Sequence, residues 1–431
     1  ANWDYWDTTR DMILRDQVLN NKIITWNEMN TFGKSGIGNE SVYNSGFAFS
    51  KYLTTMYGDS VLKKIMVSLS NPFNFSVSKS LENVTGNKGI KIYKDYIDLI
   101  TQRYSSLTTQ SKNFDQNVKF LNNNATANLH PKWNDDGDMI AYLSNQNHDY
   151  FGSTDLFIYN LKEDKNYKIV DGVISGPTWN GNTLIYSKRS IKPNKTGSRY
   201  FDLYKFDLIT KKEKRLTRDL RAFSPVFNKA DSTIFYLSTK DGTQNIFKID
   251  LKTNLSEKLS DFNDHEILNN LTIDEVNFRL LFEMTTSHNK TIYFLSLVDS
   301  TYGKYIESEK WDTRNPNILN NEVIYSDDRS GIFNLYYIGL KKQGYITDTN
   351  GGAFMPDYHK NGKVVYIHYQ DGKFNLALLD SIVIVNQKQI GYEIDYYKKN
   401  DPSTKNIVGK IDKDSNSYKD HFPPMFFMPR A

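Results

Sequence analysis

The 431-residue sequence contains no cysteine, which excludes disulfide staples and thiolate metal sites. It also lacks any apolar run of the roughly 18 residues that a membrane-spanning helix needs. Charge of one sign is missing too: 54 basic residues against 50 acidic ones leave a net +4, with no long block of either sign. A nucleic-acid partner therefore gets no support, and Lys211-Lys212-Glu213-Lys214-Arg215 reads as a solvated strand edge where lysine discourages edge pairing. No signal-peptide pattern occupies Ala1 to Trp6. Because the chain begins without Met, a mature or excised portion of a longer protein is expected.

What is abundant is aromatic. Twenty-nine Tyr and 25 Phe, with many β-branched residues, favour pleated, half-buried surfaces and predict a mainly β protein.

Residues 1–104 depart from that character. Asp7 to Leu19, Ser41 to Tyr57, Ser60 to Leu69 and Ile90 to Tyr104 carry apolar residues near helical spacing, which predicts an N-terminal α-helical domain. Gly58 fits a helix stop and Asp59 or Ser60 the next N-cap. Residues 105–116 are rich in Ser, Thr, Gln and Lys and read as a linker.

From 117 to 394 one unit recurs. Its clearest copy is His130-Pro131-Lys132-Trp133-Asn134-Asp135-Asp136-Gly137-Asp138-Met139-Ile140-Ala141-Tyr142-Leu143-Ser144, then Asp155-Leu156-Phe157-Ile158-Tyr159-Asn160. A strand, an Asp/Gly turn and two further alternating strands make an antiparallel meander. Unit-opening prolines fall at 131, 177, 225, 316 and 356, so separations are 46, 48, 91 and 40. The long gap holds a unit without its proline, near Asn269 to Leu271. Six units at this period predict a six-bladed β-propeller. Val118 to Leu121 stands where a fourth strand belongs but has no earlier blade, so it is expected to supply the outer strand of the last one. Ser381 to Ile394 is left as a surplus apolar strand, and residues 395–431 as a polar tail ending in Phe422-Pro423-Pro424-Met425-Phe426-Phe427-Met428-Pro429.

The repeats resemble those of TolB-type, WD-like propellers, whose blades read P-x-W-S-P-D-G-x-x-I-A-Y-x-S and then D-I/L-Y. Tyr43-Asn44-Ser45-Gly46 with Tyr57-Gly58 is similar to the C-terminal helical part of gluzincin peptidases. That resemblance implies that Tyr43 donates a hydrogen bond to a tetrahedral oxyanion. The zinc motif of such peptidases is missing: His130, His148, His265, His288, His359, His368 and His421 include no pair at i and i+4. Zinc would need an upstream segment carrying HExxH, and no cofactor is expected in this chain alone. Large bacterial envelope proteins join such parts to an outer-membrane barrel, and Phe422 to Pro429 is similar to their approach to it. The resemblance thus implies a periplasmic, outer-membrane-associated protein with a barrel after its C-terminus.

Two function classes follow. One is a binding module holding a protein or peptide on the propeller's channel face. The other is the C-terminal portion of a zinc peptidase whose propeller controls substrate access. Ligand-binding candidates are Arg221, His265 and Arg314, in loops leading into first strands. Asp135-Asp136 and Asp327-Asp328 are read as turn residues rather than acid/base pairs. Trp133 and Trp179 are read as blade core. Asp412 to Ser417 lacks the glycine and glutamate of a calcium loop, and Gly33 to Gly38 lacks the spacing of a phosphate loop.

Overall fold

The computed structural model describes residues 7–29, 39–108, 118–122, 124–264, 266–286, 289–308 and 311–385. Within them, six four-stranded antiparallel sheets follow one another as the blades of a propeller, preceded by helices. Blade 1 is Asn128–Trp133, Met139–Ser144, Asp155–Asn160 and Lys165–Val170. The innermost strands of blades 2 to 6 are Val173–Asn180, Ala222–Asn228, Ile267–Asp274, Thr313–Leu319 and Gly352–Tyr358.

Each second strand puts one ring at the same place: Tyr142, Tyr186, Tyr236, Phe282, Tyr325 and Tyr366, none more than 1% exposed. Such rings supply much of the apolar area that packs blade on blade. A phenol buried there needs a partner. Tyr186 donates to Glu213 on its own outer strand, and Tyr236 shares a hydrogen bond with Ser256 on its own.

The step from one blade to the next is clamped by a buried polar trio. Asp202, Asn245 and Asn334 sit at or near the start of the third strands of blades 2, 3 and 5. They accept hydrogen bonds from the hydroxyls of Thr217, Ser260 and Thr347. Those hydroxyls in turn accept from the amides of Leu203, Ile246 and Leu335. The acidic or amide residue then takes the amide of Leu220, Phe262 or Thr349 in the crossover. This satisfies backbone groups that would otherwise be buried unpaired.

Blade 6 takes its outer strand from the start of the repeat region. Lys119–Asn122 pairs antiparallel with Lys373–Leu379. Asn122 reaches from that strand to the Tyr142 hydroxyl of blade 1, 2.9 Å away, tying first blade to last.

The helices are α1 (Thr8–Leu19), α2 (Glu40–Tyr57), α3 (Val61–Leu69), α4 (Val77–Thr85) and α5 (Gly89–Thr108). Gly58 ends α2 at φ 84. α4 was not anticipated: Val77, Leu81 and Val84 do fall at helical spacing, but over a helix of only nine residues. α5 continues through Thr108, into the stretch read as linker, with the Ser106 hydroxyl donating back to the Arg103 carbonyl. Ser381 to Val385 is not a strand. Its Val385 amide donates to the Tyr345 carbonyl and Ile384 packs on Gly344 of blade 5, since the edge of blade 6 is already taken. The remainder of that stretch lies outside the described residues.

α1 is buried nearly all round. Leu14 and Val18 enter the helical core, whereas Met12 and Ile13 enter the propeller core beside Phe333, Phe354 and Tyr369. Arg15, 1% exposed, donates to the carbonyls of Asn350 (2.7 Å) and Gly351 (3.1 Å) and pairs with Asp11 at 2.6 Å. Asp16 accepts from the amides of Asp371 and Gly372.

Candidate functional site

The inner strands share one irregularity. Each loses register at the position of its opening proline, or of Leu271 in blade 4, between Leu129 and Lys132, Ser175 and Thr178, Phe223 and Val226, Asn269 and Thr272, Arg314 and Asn317, and Phe354 and Asp357. In five blades the residue at the break is left-handed: His130, Ser224, Asn270, Asn315 and Met355 have φ between 50 and 56. In blade 2 the position is Gly176, and a Cβ there would lie 3.1 Å from that of His130. Such bulges re-aim side chains, and the following residues converge on the propeller axis.

They enclose a cavity of about 310 Å³, walled by the inner strands and by the turns that leave them. Its charges are mostly neutralised within the wall. Lys132 pairs with Asp357 at 2.8 Å, and Lys229 with Asp135. Asp274 is held by Arg279 at 2.8 Å. At the rim, Glu275 is exposed, and none of the described residues forms an ion pair with it. Between the charges lie Thr178, Asn270, Asn317 and the rings of Pro131, Pro177, Pro225, Pro316 and Pro356.

In blades 2, 5 and 6 the residue after the proline also joins blades. The side-chain oxygens of Thr178, Asn317 and Asp357 accept the amides of Phe227, Tyr358 and Trp133 in the following blade, at 3.3, 3.0 and 2.8 Å. Trp133 and Trp179, both buried, donate their indole N–H to the carbonyls of Asp357 and Lys132. His130 faces this cavity. Burial, and then the nearby Lys132 ammonium, push its imidazole down to about 4, so it is neutral at pH 7.

The sequence-derived candidates stand elsewhere. Arg221 lies over the Tyr200 ring and donates to its hydroxyl at 3.1 Å. Arg314 grips Asp312 and lies over Phe333. Neither belongs to the cavity wall, and the two occupy separate clusters in blades 3 and 5. Tyr43 is 57% exposed in the first turn of α2. His265, Gly33 to Gly38 and Asp412 to Ser417 lie outside the described residues. Lys132, Asn317 and Asp357 were missed, although each follows its proline by one position and the proline alignment alone marks them.

Asp327 and Asp328 do stand at a turn, where the Asp327 carboxylate accepts the Arg329 amide at 2.9 Å and the Asp328 carbonyl the Gly331 amide at 2.8 Å, and both are buried. Arg329 forks onto Asp327, while the Asp312 amide donates to Asp328 at 2.8 Å and the Thr8 side chain hydrogen-bonds to it. Burial, reinforced by the facing Asp312 carboxylate, raises Asp328 well above the usual carboxylate range. Asp135 and Asp136 are exposed ahead of Gly137 at φ 71, which is turn chemistry. Among the described residues, no three His, Cys, Asp or Glu side chains gather as a metal site requires.

The chain matches no family model and no curated protein. Solved structures similar to it include TolB from Acinetobacter baumannii, 16% identical with TM-score 0.39 over 59% of this chain and 54% of that one. The β-propeller domain of the trilobed protease from Pyrococcus furiosus is 12% identical with TM-score 0.42, over 64% and 97% respectively. An oligogalacturonate lyase from Vibrio parahaemolyticus is 10% identical with TM-score 0.39, over 61% and 92%. The chain thus spans about half the length of the TolB structure. What these proteins share with it is the propeller fold.

Proposed function

We propose that this chain is a binding module that takes an extended protein or peptide segment into the axial cavity, in the bacterial periplasm. The observation that carries the reading is the composition of the wall. Its cations and anions are mostly paired with each other, leaving proline rings, amides and the rim carboxylate of Glu275, with which none of the described residues forms an ion pair. A polyanion would find no unpaired cationic track there, whereas a neutral or weakly basic backbone fits few placed polar groups on an apolar surface. The test is selection of random displayed peptides on the immobilised protein, followed by calorimetric titration. Selected peptides should lose at least about tenfold in affinity on V226W, which fills the cavity, since tight binding needs a preformed pocket. No enrichment, or unchanged affinity on V226W, would overturn the reading.

A second reading rests on Tyr43. Its exposure at the start of α2 leaves it open to an upstream peptidase segment bearing HExxH, in which it would face the oxyanion. Zinc content and peptide hydrolysis, measured on this chain joined to such a segment, decide it: activity that survives Y43F unchanged removes the role.

A further inference from the structure

Exposed apolar side chains on the propeller are mostly scattered singly at outer turns, as at Ile209, Leu255, Val298 and Leu340. The helical part is different. Met66, Val67, Phe73, Phe75 and Val77 fall within twelve residues, and Phe73 and Phe75 are 91% and 90% exposed. Concentration of this kind marks a surface that meets something.

The turn between α3 and α4 is firmly built from inside. Asn74 donates to the Ser68 carbonyl at 2.8 Å and to the Ser80 hydroxyl at 2.9 Å. Ser80 is fully buried, and Ser76 caps α4 by accepting from the Lys79 amide. Asn74 thereby anchors the turn while its two neighbours, Phe73 and Phe75, face solvent. Phe73 is held at φ 67, a conformation that Asn adopts more readily than an aromatic residue. Neither packing nor backbone preference accounts for a phenylalanine there.

Charge identifies the occupant. Between Ser60 and Ser80 stand Lys63, Lys64 and Lys79 and no acidic residue. All three lysines are exposed, and none of the described residues forms an ion pair with them. On α3, Leu62 and Met66, and likewise Lys63 and Val67, succeed one another at four-residue spacing, away from buried Val61, Ile65 and Ser68. Exposed aromatic rings on the same helix–turn–helix as lysines that pair with none of the described residues match a surface with apolar depth beneath a negative face. A purely apolar protein groove would account for the rings but not for the cations.

We infer that the α3–α4 turn is a contact for the surface of an anionic phospholipid bilayer, with Phe73 and Phe75 entering the headgroup–acyl boundary and Lys63, Lys64 and Lys79 meeting the phosphates. The full chain is co-sedimented with vesicles of phosphatidylcholine alone and of equal parts phosphatidylcholine and phosphatidylglycerol. It should bind the mixed vesicles and not the neutral ones. The F73N/F75S double variant should weaken that binding by about tenfold or more with its thermal midpoint unchanged, and K63E/K64E/K79E should weaken it similarly. Failure of the wild type to sediment with mixed vesicles, or undiminished binding by either variant, overturns the inference. So does self-association of the wild type that F73N/F75S abolishes in sedimentation velocity, because a second copy would then be the occupant.

Discussion

The Asp357 carboxylate of the last blade accepts the backbone amide of Trp133 in the first, Oδ2 to N at 2.8 Å. Its other oxygen takes the Asn317 amide and the Lys132 ammonium, each at 2.8 Å. One side chain therefore joins three blades at the rim of the cavity. D357A strands a buried amide, an Asn and a cation, and should cost about 3 kcal/mol or more in urea unfolding. D357N, which keeps an acceptor for Trp133, should recover part of that. A loss below about 0.5 kcal/mol for D357A, the level of an ordinary surface change, would contradict the joint.

Arg15 holds α1 to blade 6. R15A would leave the Asn350 and Gly351 carbonyls without their donor and remove the ion pair to Asp11. Because Arg15 is 1% exposed, the expected loss is about 3 kcal/mol, read from the urea midpoint. Limited proteolysis should also become faster at the α1 segment, and unchanged cleavage would remove its role as the clamp.

Much of the ring was legible because it is periodic. The third strands Asn245–Asp250 and Asn334–Ile338 fall where the alternation places them, and the proline spacing counts six blades. The outer strand Tyr302–Lys304 of blade 4 escaped notice, as a three-residue strand with one aromatic carries no period. The cavity was legible only in part. Lys132 and Asp357 are 225 positions apart, and their pairing depends on closure of the ring rather than on local pattern. Arg314 drew attention by its loop, yet its guanidinium is consumed by Asp312 and Phe333. A sequence shows a charge but not the partner that neutralises it.

Two histidines make the fold sensitive to acid. His130, by burial and Lys132, and His368, by burial, are each pushed down to about 4 from 6.5. The unfolded chain takes up these protons near pH 6.5 and the native chain does not until about 4. The stability tied to the neutral rings is therefore complete above pH 6.5 and is lost as pH falls from 6.5 to 4, at up to about 1.4 kcal/mol per pH unit for each. H130N suits the left-handed backbone at φ 52 and removes one of the two protons. Urea titrations between pH 7 and 4.5 should show a shallower acid limb for H130N than for wild type. Parallel limbs would mean that His130 protonates freely in the fold.

Asp328 works in the opposite direction. Burial and the Asp312 carboxylate raise its folded pKa above 3.8, so the native state keeps a proton that the unfolded chain has released. The stability tied to this neutral carboxyl is fully present below pH 3.8 and declines as pH climbs toward the folded value. Asn reproduces the uncharged shape and can still accept from the Asp312 amide. D328N should therefore match wild type most closely below pH 3.8 and gain on it as pH rises above that, at up to about 1.4 kcal/mol per pH unit. Thermal midpoints at pH 5, 7 and 8.5 check this. A difference that stays flat or shrinks across that range would show that Asp328 is ionised in the native protein, with the Thr8 contact of α1 resting on a carboxylate instead of an acid.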